Sequence, residues 1–431
     1  MPTNVAEQYL GDLAERSFLK LWTVPNPFKE PGKELTDLLV AFGDDLIIFS
    51  DKASLFDGQK PLAWERWYRR TIEGSLKQLN GAVRSIERSS GLYLDSRASE
   101  GLPFSLPAAA DQRLHLITVA RPSHDPHKKP SDWNALTYDT DGGTAPFKIG
   151  PAFVGAHFVH IFDSESIEFL LTQLDTAPDF LRYLKSREQA LRSTKHLSFA
   201  ERDLFATAIK SWTGGKGFEV QLPSPDIDGK IAIPAGLWSD YVASDGATLT
   251  KSQYANSRNI DLLVDHFHTE YAANRNFHLP KPAFDSHENA MRMLASESRF
   301  SRRLIANELV DLLGEDNNLT FWASSVPSPD HPQVRYVWLT YPEPVRDEPL
   351  ERYEELILRH LRRHLLVARL TFGAAIFVGI AAPNSGIEML SYFMCVMDGN
   401  VWTAEDEEEA KHWRAQGVFA EPETVHRLYE P

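Results

Sequence analysis

The sequence predicts an α/β protein with a mixed sheet flanked by helices in its N-terminal part. Three patterns carry this prediction: a helical stretch at 5–20, two apolar runs of strand length at 38–42 and 46–49, and a long helical stretch that begins at 61. Alternating helical and strand-like segments are typical of a sheet covered by helices. We expect the C-terminal region to be mixed α/β or α+β.

The first helix is predicted because apolar residues fall on roughly one side of residues 5–20. They are Tyr9, Leu10, Leu13, Phe18 and Leu19. Prolines at 25, 27 and 31 then end the helical pattern. The two apolar runs that follow are separated by GDD, a sequence that favours a turn, so we expect an antiparallel hairpin.

Residues 61–89 are predicted to form a long amphipathic helix, and 113–120 and 157–163 to form further strands. We therefore predict a first domain over residues 1–165. Residues 166–431 form the second region, which includes a basic helix at 349–370 and a hairpin formed by AAIFVGIAA and MLSYFMCVMD. We expect this region to bind substrate, to regulate the first domain, or to bind a partner protein or a second copy.

Composition and charge limit the possible partners. The formal net charge of −15 gives no overall positive field, so nucleic acid would need a local basic patch and metal ions. The single cysteine, Cys395, rules out an intramolecular disulfide and fits a reducing compartment. The N-terminus lacks the pattern of a signal peptide. The most apolar run, His364–Pro383, is typical of a helix end followed by a buried strand. We expect a cytoplasmic protein without membrane contact.

The open end of the predicted hairpin carries charged residues. Side chains alternate along a strand, so Ser50 and Lys52 share one face and Asp51 takes the other. Opposed residues of a hairpin point to the same face. Two registers with an even turn pair Asp37 with Lys52 or with Ser50, and both place Asp37, Ser50 and Lys52 together. An odd turn would pair Asp37 with Asp51 unless a bulge corrects it.

A carboxylate and a lysine that converge at the end of a half-buried hairpin can serve hydrolysis of a phosphodiester. Asp37 can hold Mg²⁺ or Mn²⁺, and such an ion lowers the pKa of a bound water and offsets the charge of the phosphate. Lys52 can orient that water or stabilise the developing negative charge. Two solvated strand ends are an alternative interpretation of the same pattern. A further alternative is a structural or interaction protein of unrelated α/β fold, in which Asp37 and Lys52 would lie on opposite faces of the sheet.

The arrangement resembles the PD-(D/E)XK nuclease superfamily over residues 1–90, and loosely some uncharacterised bacterial proteins that share an element like FLKLWTVPN at 18–26. The resemblance implies a restriction-endonuclease-like sheet. It assigns the strand-opening aspartate to Asp37 and the terminal acid-x-Lys triplet to Ser50–Lys52. The helical glutamate of the family corresponds to Glu7 or Glu15, and Gln78 resembles a glutamine often found in the following helix.

One position departs from the family pattern, because Ser50 stands where an acid is expected. Some members with Ser-x-Lys take the missing carboxylate from the next helix, which would be Glu65 or Glu73 here. Glu34 could also lean in, and Asp51 could turn inward through a bulge. The resemblance therefore implies metal ligation by Asp37, by Glu65 and by the backbone carbonyl of Asp51, with Glu34 as a further catalytic candidate.

The helix after Lys52 is locally basic. It carries Arg66, Arg69, Arg70 and Lys77 between aromatic residues, a pattern that could track a phosphate backbone. A solvated helix face is the alternative. Together the features predict a metal-dependent nuclease that acts on nucleic acid, with DNA favoured and defence against foreign DNA as a setting. The competing hypothesis is a degenerate nuclease fold that serves as a nucleic-acid-binding or assembly module.

Overall fold

The computed structural model of the protein forms two compact units, residues 1–248 and 249–431. It describes residues 5–56, 62–88, 91–104, 106–123, 136–140, 147–210, 218–245, 247, 254–272, 284–285, 287–314, 321–342, 350–384 and 392–419. The predicted boundary at 165 lies inside the first unit. The helix that begins there, Ser164–Gln173, packs on the N-terminal helix and on the main sheet.

Helices and strands alternate along the first unit. Its helices are α1 (Val5–Phe18), α2 (Ala63–Tyr68), α3 (Gly74–Glu87), α4 (Ser164–Gln173), α5 (Ala177–Ser193), α6 (Glu201–Lys210) and α7 (Leu237–Val242). Its strands are β1 (Thr23–Pro25), β2 (Phe28–Glu30), β3 (Lys33–Glu34), β4 (Leu38–Phe42), β5 (Asp45–Leu55), β6 (Arg113–Ser123), β7 (Thr137–Asp139), β8 (Lys148–Ile149), β9 (Ala152–Val154), β10 (His157–Asp163), β11 (Leu197–Phe199) and β12 (Ile231–Ala232). The π-helical segment Arg69–Glu73 joins α2 to α3.

The main sheet of the first unit has six strands in the order β1-β4-β5-β6-β10-β9. Strands β4 and β5 form the predicted antiparallel hairpin. Strand β6 pairs with β5 in parallel, and β10 pairs with β6 in parallel. Two parallel neighbouring strands need a long crossover connection. The connection from β5 to β6 contains the helices α2 and α3. Shorter strands form a sheet of order β12-β11-β7-β8 and the pair β2-β3.

The two faces of the hairpin pack against different partners. Leu39 and Ile48, which are fully buried, point to a core shared with Trp67 and Leu79 of the α2–α3 helices. Alternation sends the other side chains to the opposite face, where Phe42 meets Trp22 at a ring distance of 5.7 Å. Both faces are therefore covered, which explains why each run in the sequence is apolar without a polar alternation.

The second unit is built on one five-stranded sheet of order β13-β17-β16-β15-β14. Its helices are α8 (Arg258–Ala272), α9 (His287–Ala295), α10 (Arg299–Gly314), α11 (Leu350–Phe372) and α12 (Ala404–Ala415). Its strands are β13 (Phe284–Asp285), β14 (Trp322–Pro327), β15 (Val334–Tyr341), β16 (Ile376–Pro383) and β17 (Phe393–Asp398). Strands β15 and β16 are parallel, while β14 and β17 pair antiparallel with them. The mixed α/β class is thus confirmed for both regions.

The most apolar run of the chain is divided between a helix and a strand, as predicted. Helix α11 ends at Phe372, and Gly373 follows with a φ of +67°, a left-handed conformation that suits a helix end. Strand β16 then begins at Ile376 and is buried along nearly all its length. Within the described residues, no helix has the length and apolar character needed to cross a membrane.

Candidate active site at the end of the β4–β5 hairpin

The register of the hairpin places the predicted residues on one face. Phe42 pairs with Asp45, so Gly43 and Asp44 form the turn. At the open end of the hairpin, the pairing reaches Leu38 and Phe49. The same register sets Asp37 opposite Ser50, which is one of the two even registers considered from the sequence. Gly43 adopts a φ of +58°, which a residue without a Cβ tolerates in a tight turn.

Asp37 is the centre of a hydrogen-bonded cluster. The Gln78 side-chain nitrogen, Nε2, donates to Asp37 Oδ1 at 2.9 Å, and the backbone N–H of Asp51 donates to Oδ2 at 2.6 Å. Lys52 Nζ lies 3.7 Å from the same Oδ2. The Asp37 carboxylate is buried, whereas the Lys52 side chain is 36% exposed. The cluster therefore holds a fixed carboxylate and a cation that solvent can reach.

Gln78 links Ser50 to Asp37. Ser50 Oγ donates to Gln78 Oε1 at 2.9 Å, while the amide nitrogen of Gln78 faces Asp37. Helix α3 brings Gln78 here because its neighbours Leu79, Ala82 and Val83 pack into the core beneath the hairpin. The serine that replaces the expected acid is thus bound, through an amide, to the carboxylate of Asp37.

Asp51 points to the opposite face of the sheet, as alternation predicts. Its carboxylate is buried and accepts a hydrogen bond from Arg121 Nε on β6 at 2.8 Å. Burial raises the pKa of Asp51, and Arg121 acts against this rise. No local sequence pattern identifies Arg121, because its distance from Asp51 depends on the parallel pairing of β5 with β6.

Glu34 lies within electrostatic range of the cluster. Glu34 itself is exposed on β3. Desolvation and the negative charges of Asp37 and Glu7 raise the pKa of Glu34, and Lys52 lowers it. Glu7 on α1, one of the two candidate helical glutamates, also raises the pKa of Asp51. The other candidate, Glu15, lies half-buried on the same helix.

Glu65 and Glu73 are exposed, and no contact between either of them and Asp37, Ser50 or Lys52 occurs within the described residues. Glu65 lies on α2, and Glu73 ends the π-helical segment. Burial, together with the charge of Glu73, raises the pKa of Tyr68. The position of the following helix that contacts Ser50 is Gln78 instead.

The side chains at the open end of the hairpin offer oxygen donors. Carboxylate and carbonyl oxygens are the ligands that Mg²⁺ and Mn²⁺ prefer. Over the part of the chain that the structure describes, however, no three His, Cys, Asp or Glu side chains already stand in a group that could hold a metal ion.

The predicted basic face is exposed along α2, the π-helical segment and α3. Arg66, Arg69, Arg70 and Lys77 all lie at the surface. None of them has an ion pair or a side-chain hydrogen bond within the described residues. Arg113 and Arg121 on β6, by contrast, each bind a carboxylate. The four cations are therefore available to an anionic partner.

Comparison with known proteins gives no relative: no family model, no curated protein and no solved structure matches this chain.

Proposed function

We propose that the protein is a metal-dependent nuclease that hydrolyses phosphodiester bonds of nucleic acid, with DNA as the favoured substrate. The observation that carries this proposal is the convergence of Asp37, Ser50, Lys52 and Gln78 at the open end of the hairpin. The order of α1, the β4–β5 hairpin, α3 and the parallel strand β6 supports a restriction-endonuclease-like fold. Defence against foreign DNA is a setting proposed by analogy with that superfamily alone.

Asp37 would hold Mg²⁺ or Mn²⁺, together with the backbone carbonyl of Asp51. The second carboxylate would come from Glu65, Glu34 or Glu73. A bound ion of this kind activates a water molecule and neutralises charge on the phosphate. Gln78 and the Asp51 amide hold both oxygens of Asp37, so this carboxylate is oriented before any ligand arrives.

Lys52 would act through its positive charge and would form no covalent bond with the substrate. Its ammonium group lies beside Asp37 and remains partly exposed, so a phosphate that approaches Asp37 also meets Lys52. A preorganised cation in a partly desolvated site stabilises the negative charge that develops on the phosphoryl oxygens. Arg66, Arg69, Arg70 and Lys77 would bind the sugar–phosphate backbone on the helices that follow.

We expect Asp37→Asn and Lys52→Met each to reduce Mg²⁺-dependent cleavage by about 100-fold or more, because each removes a charge that acts on the reacting phosphate. The measurement is a cleavage panel of double-stranded DNA, single-stranded DNA and RNA with Mg²⁺ or Mn²⁺. Asp44→Asn is the matched control for Asp37, since Asp44 is an exposed aspartate at the other end of the same hairpin. Lys20→Met, at an exposed lysine, is the control for Lys52.

Thermal unfolding of each variant separates lost chemistry from lost folding. Cleavage that persists in both Asp37→Asn and Lys52→Met would remove this site from consideration. Glu34→Gln, Glu65→Gln and Glu73→Gln, compared in the same panel, identify the second carboxylate by the largest loss.

A nucleic-acid-binding module without catalysis is the second candidate. Two observations favour it: Ser50 replaces the expected acid, and both oxygens of Asp37 already accept hydrogen bonds. This candidate predicts salt-dependent binding of nucleic acid with no cleavage at any metal concentration, and binding that Asp37→Asn leaves unchanged.

A further inference from the structure

An ion pair lies directly behind the cluster of Asp37, on the opposite face of the sheet. Arg121 Nε donates to both oxygens of Asp51, at 2.8 and 2.9 Å. The exposed fractions are 14% for the Arg121 side chain and 2% for the Asp51 side chain. Strand β6 thus anchors one residue of β5 through a nearly dry contact.

The anchored residue also belongs to the site through its backbone. Its N–H donates to Asp37 Oδ2 at 2.6 Å, and the next residue is Lys52. Asp51 therefore connects the two faces: its side chain is fixed to β6, while its amide and its neighbour contact Asp37. A shift of Asp51 would move both groups relative to Asp37.

The surroundings of Asp51 make this anchor necessary. The carboxylate is buried, and the negative charges of Asp37 and Glu7 act on it. A buried carboxylate that loses its cation is strongly destabilised. It then takes up a proton or moves toward water, and either change alters how the end of β5 is held. Arg121 is the cation that the structure gives this carboxylate.

We propose that Arg121 is a positioning residue of the site, which acts through Asp51 to hold the Asp51 amide and Lys52 against Asp37. This inference rests on the proposed nuclease function for its catalytic consequence. Its structural consequence is that the end of β5 is held in place, and this consequence can be measured without any cleavage assay.

The experiment compares Arg121→Gln, Arg121→Lys, Asp51→Asn and the double variant Arg121→Gln/Asp51→Asn in the full chain. We expect Arg121→Gln to lower kcat by about 100-fold with KM for DNA nearly unchanged, as a displacement of about 1 Å does to a catalytic group. Arg121→Lys keeps the charge and should recover much of the rate. The double variant removes the unpaired carboxylate and should be faster than Arg121→Gln alone.

Arg113→Gln is the control on the same strand. Arg113 also binds a buried carboxylate, that of Asp45, with its Nη2 at 2.7 Å. Asp45 additionally contacts His115 Nε2 at 2.7 Å and Lys185 Nζ at 3.7 Å, so this carboxylate keeps partners in the control variant. Arg113 lies at the other end of the β5–β6 pairing, where it is aligned with Asp45. We expect the Arg113→Gln variant to have a lower thermal stability than the wild type but the same kcat. A loss of kcat in Arg113→Gln equal to that in Arg121→Gln would overturn the proposal, because the effect would then be general.

Hydrogen exchange of the peptide that covers residues 46–55 provides a readout without catalysis. We expect faster exchange at the Ser50–Lys52 amides in Arg121→Gln than in Arg113→Gln or the wild type. Unchanged exchange in Arg121→Gln would overturn the positioning role. If the wild type does not cleave any nucleic acid, the proposed function fails, and the exchange result still decides the role of Arg121.

Discussion

Thr118 is the neighbour of Ser50 across the β5–β6 pairing, and it is completely buried. Its hydroxyl has no hydrogen-bond partner within the described residues, and the same holds for the buried hydroxyls of Thr71 and Ser75 on the helical side. A buried hydroxyl without a partner costs about 1–3 kcal/mol of stability. The layer beneath the site is therefore less stable than an apolar layer of the same shape would be.

We expect Thr118→Val to raise the free energy of unfolding by about 1 kcal/mol, because valine keeps the shape and removes the unpaired hydroxyl. Urea unfolding measures the change. Thr36→Val is the matched control: the buried Thr36 hydroxyl donates to the carbonyl of Phe49, so its loss should lower stability by about 1 kcal/mol. A Thr118→Val protein less stable than the wild type would show that this hydroxyl does have a partner.

Side-chain alternation made the common face of Asp37, Ser50 and Lys52 predictable, because a period of two is a geometric property of any strand. The outward direction of Asp51 followed from the same rule. Arg121 could not be found in this way. Its contact with Asp51 needs the pairing of two strands that are separated by the helices α2 and α3.

The basic face of α2, the π-helical segment and α3 should determine how strongly salt weakens binding of DNA. We expect the fourfold change of Arg66, Arg69, Arg70 and Lys77 to Gln to weaken binding of double-stranded DNA and to reduce the slope of log K against log salt by about 3–4. Titrations at several salt concentrations measure this slope.

A variant with the same change of charge is the control. Lys20, Lys33, Lys148 and Lys195 are exposed lysines scattered over the first unit, and their fourfold change to Gln alters the net charge equally. An equal fall in affinity for both variants would contradict a specific face and indicate a general electrostatic effect.

Several elements could be predicted closely, since their apolar runs are short and bounded by turn residues. Strand β4 and the division of the apolar run between α11 and β16 are examples. The predicted single helix over 61–89 is instead α2, a π-helical segment and α3. One added residue leaves the apolar pattern almost unchanged, so hydrophobic periodicity does not detect a π-helical turn.

At the scale of the whole molecule, each unit has its own sheet and its own core. The extent of the first unit to 248 was not predictable from composition, because α4 and α5 resemble any surface helices until they are placed against the sheet. The charge of −15 gives no sign of the basic face, since it sums over the entire chain.

Cys395 offers a probe of the second unit. It is 2% exposed on β17, and burial raises the pKa of its thiol to about 12. We expect no reaction with a thiol reagent at pH 8 in the native protein, because the thiolate is the reactive species. Reaction should begin only as the second unit unfolds in urea. Rapid modification under native conditions would contradict the burial of this strand.

The number of residues in the π-helical segment Arg69–Glu73 sets the direction in which Gln78 points from α3. A regular α-helix advances about 100° per residue, so loss of a single residue here would turn Gln78 about that far around the axis of α3. Ser50 and Asp37 would then face a different side chain, although no contacting residue had changed. We therefore expect a one-residue insertion or deletion between Trp67 and Gln78 to disrupt the Asp37 cluster as a substitution of Gln78 would.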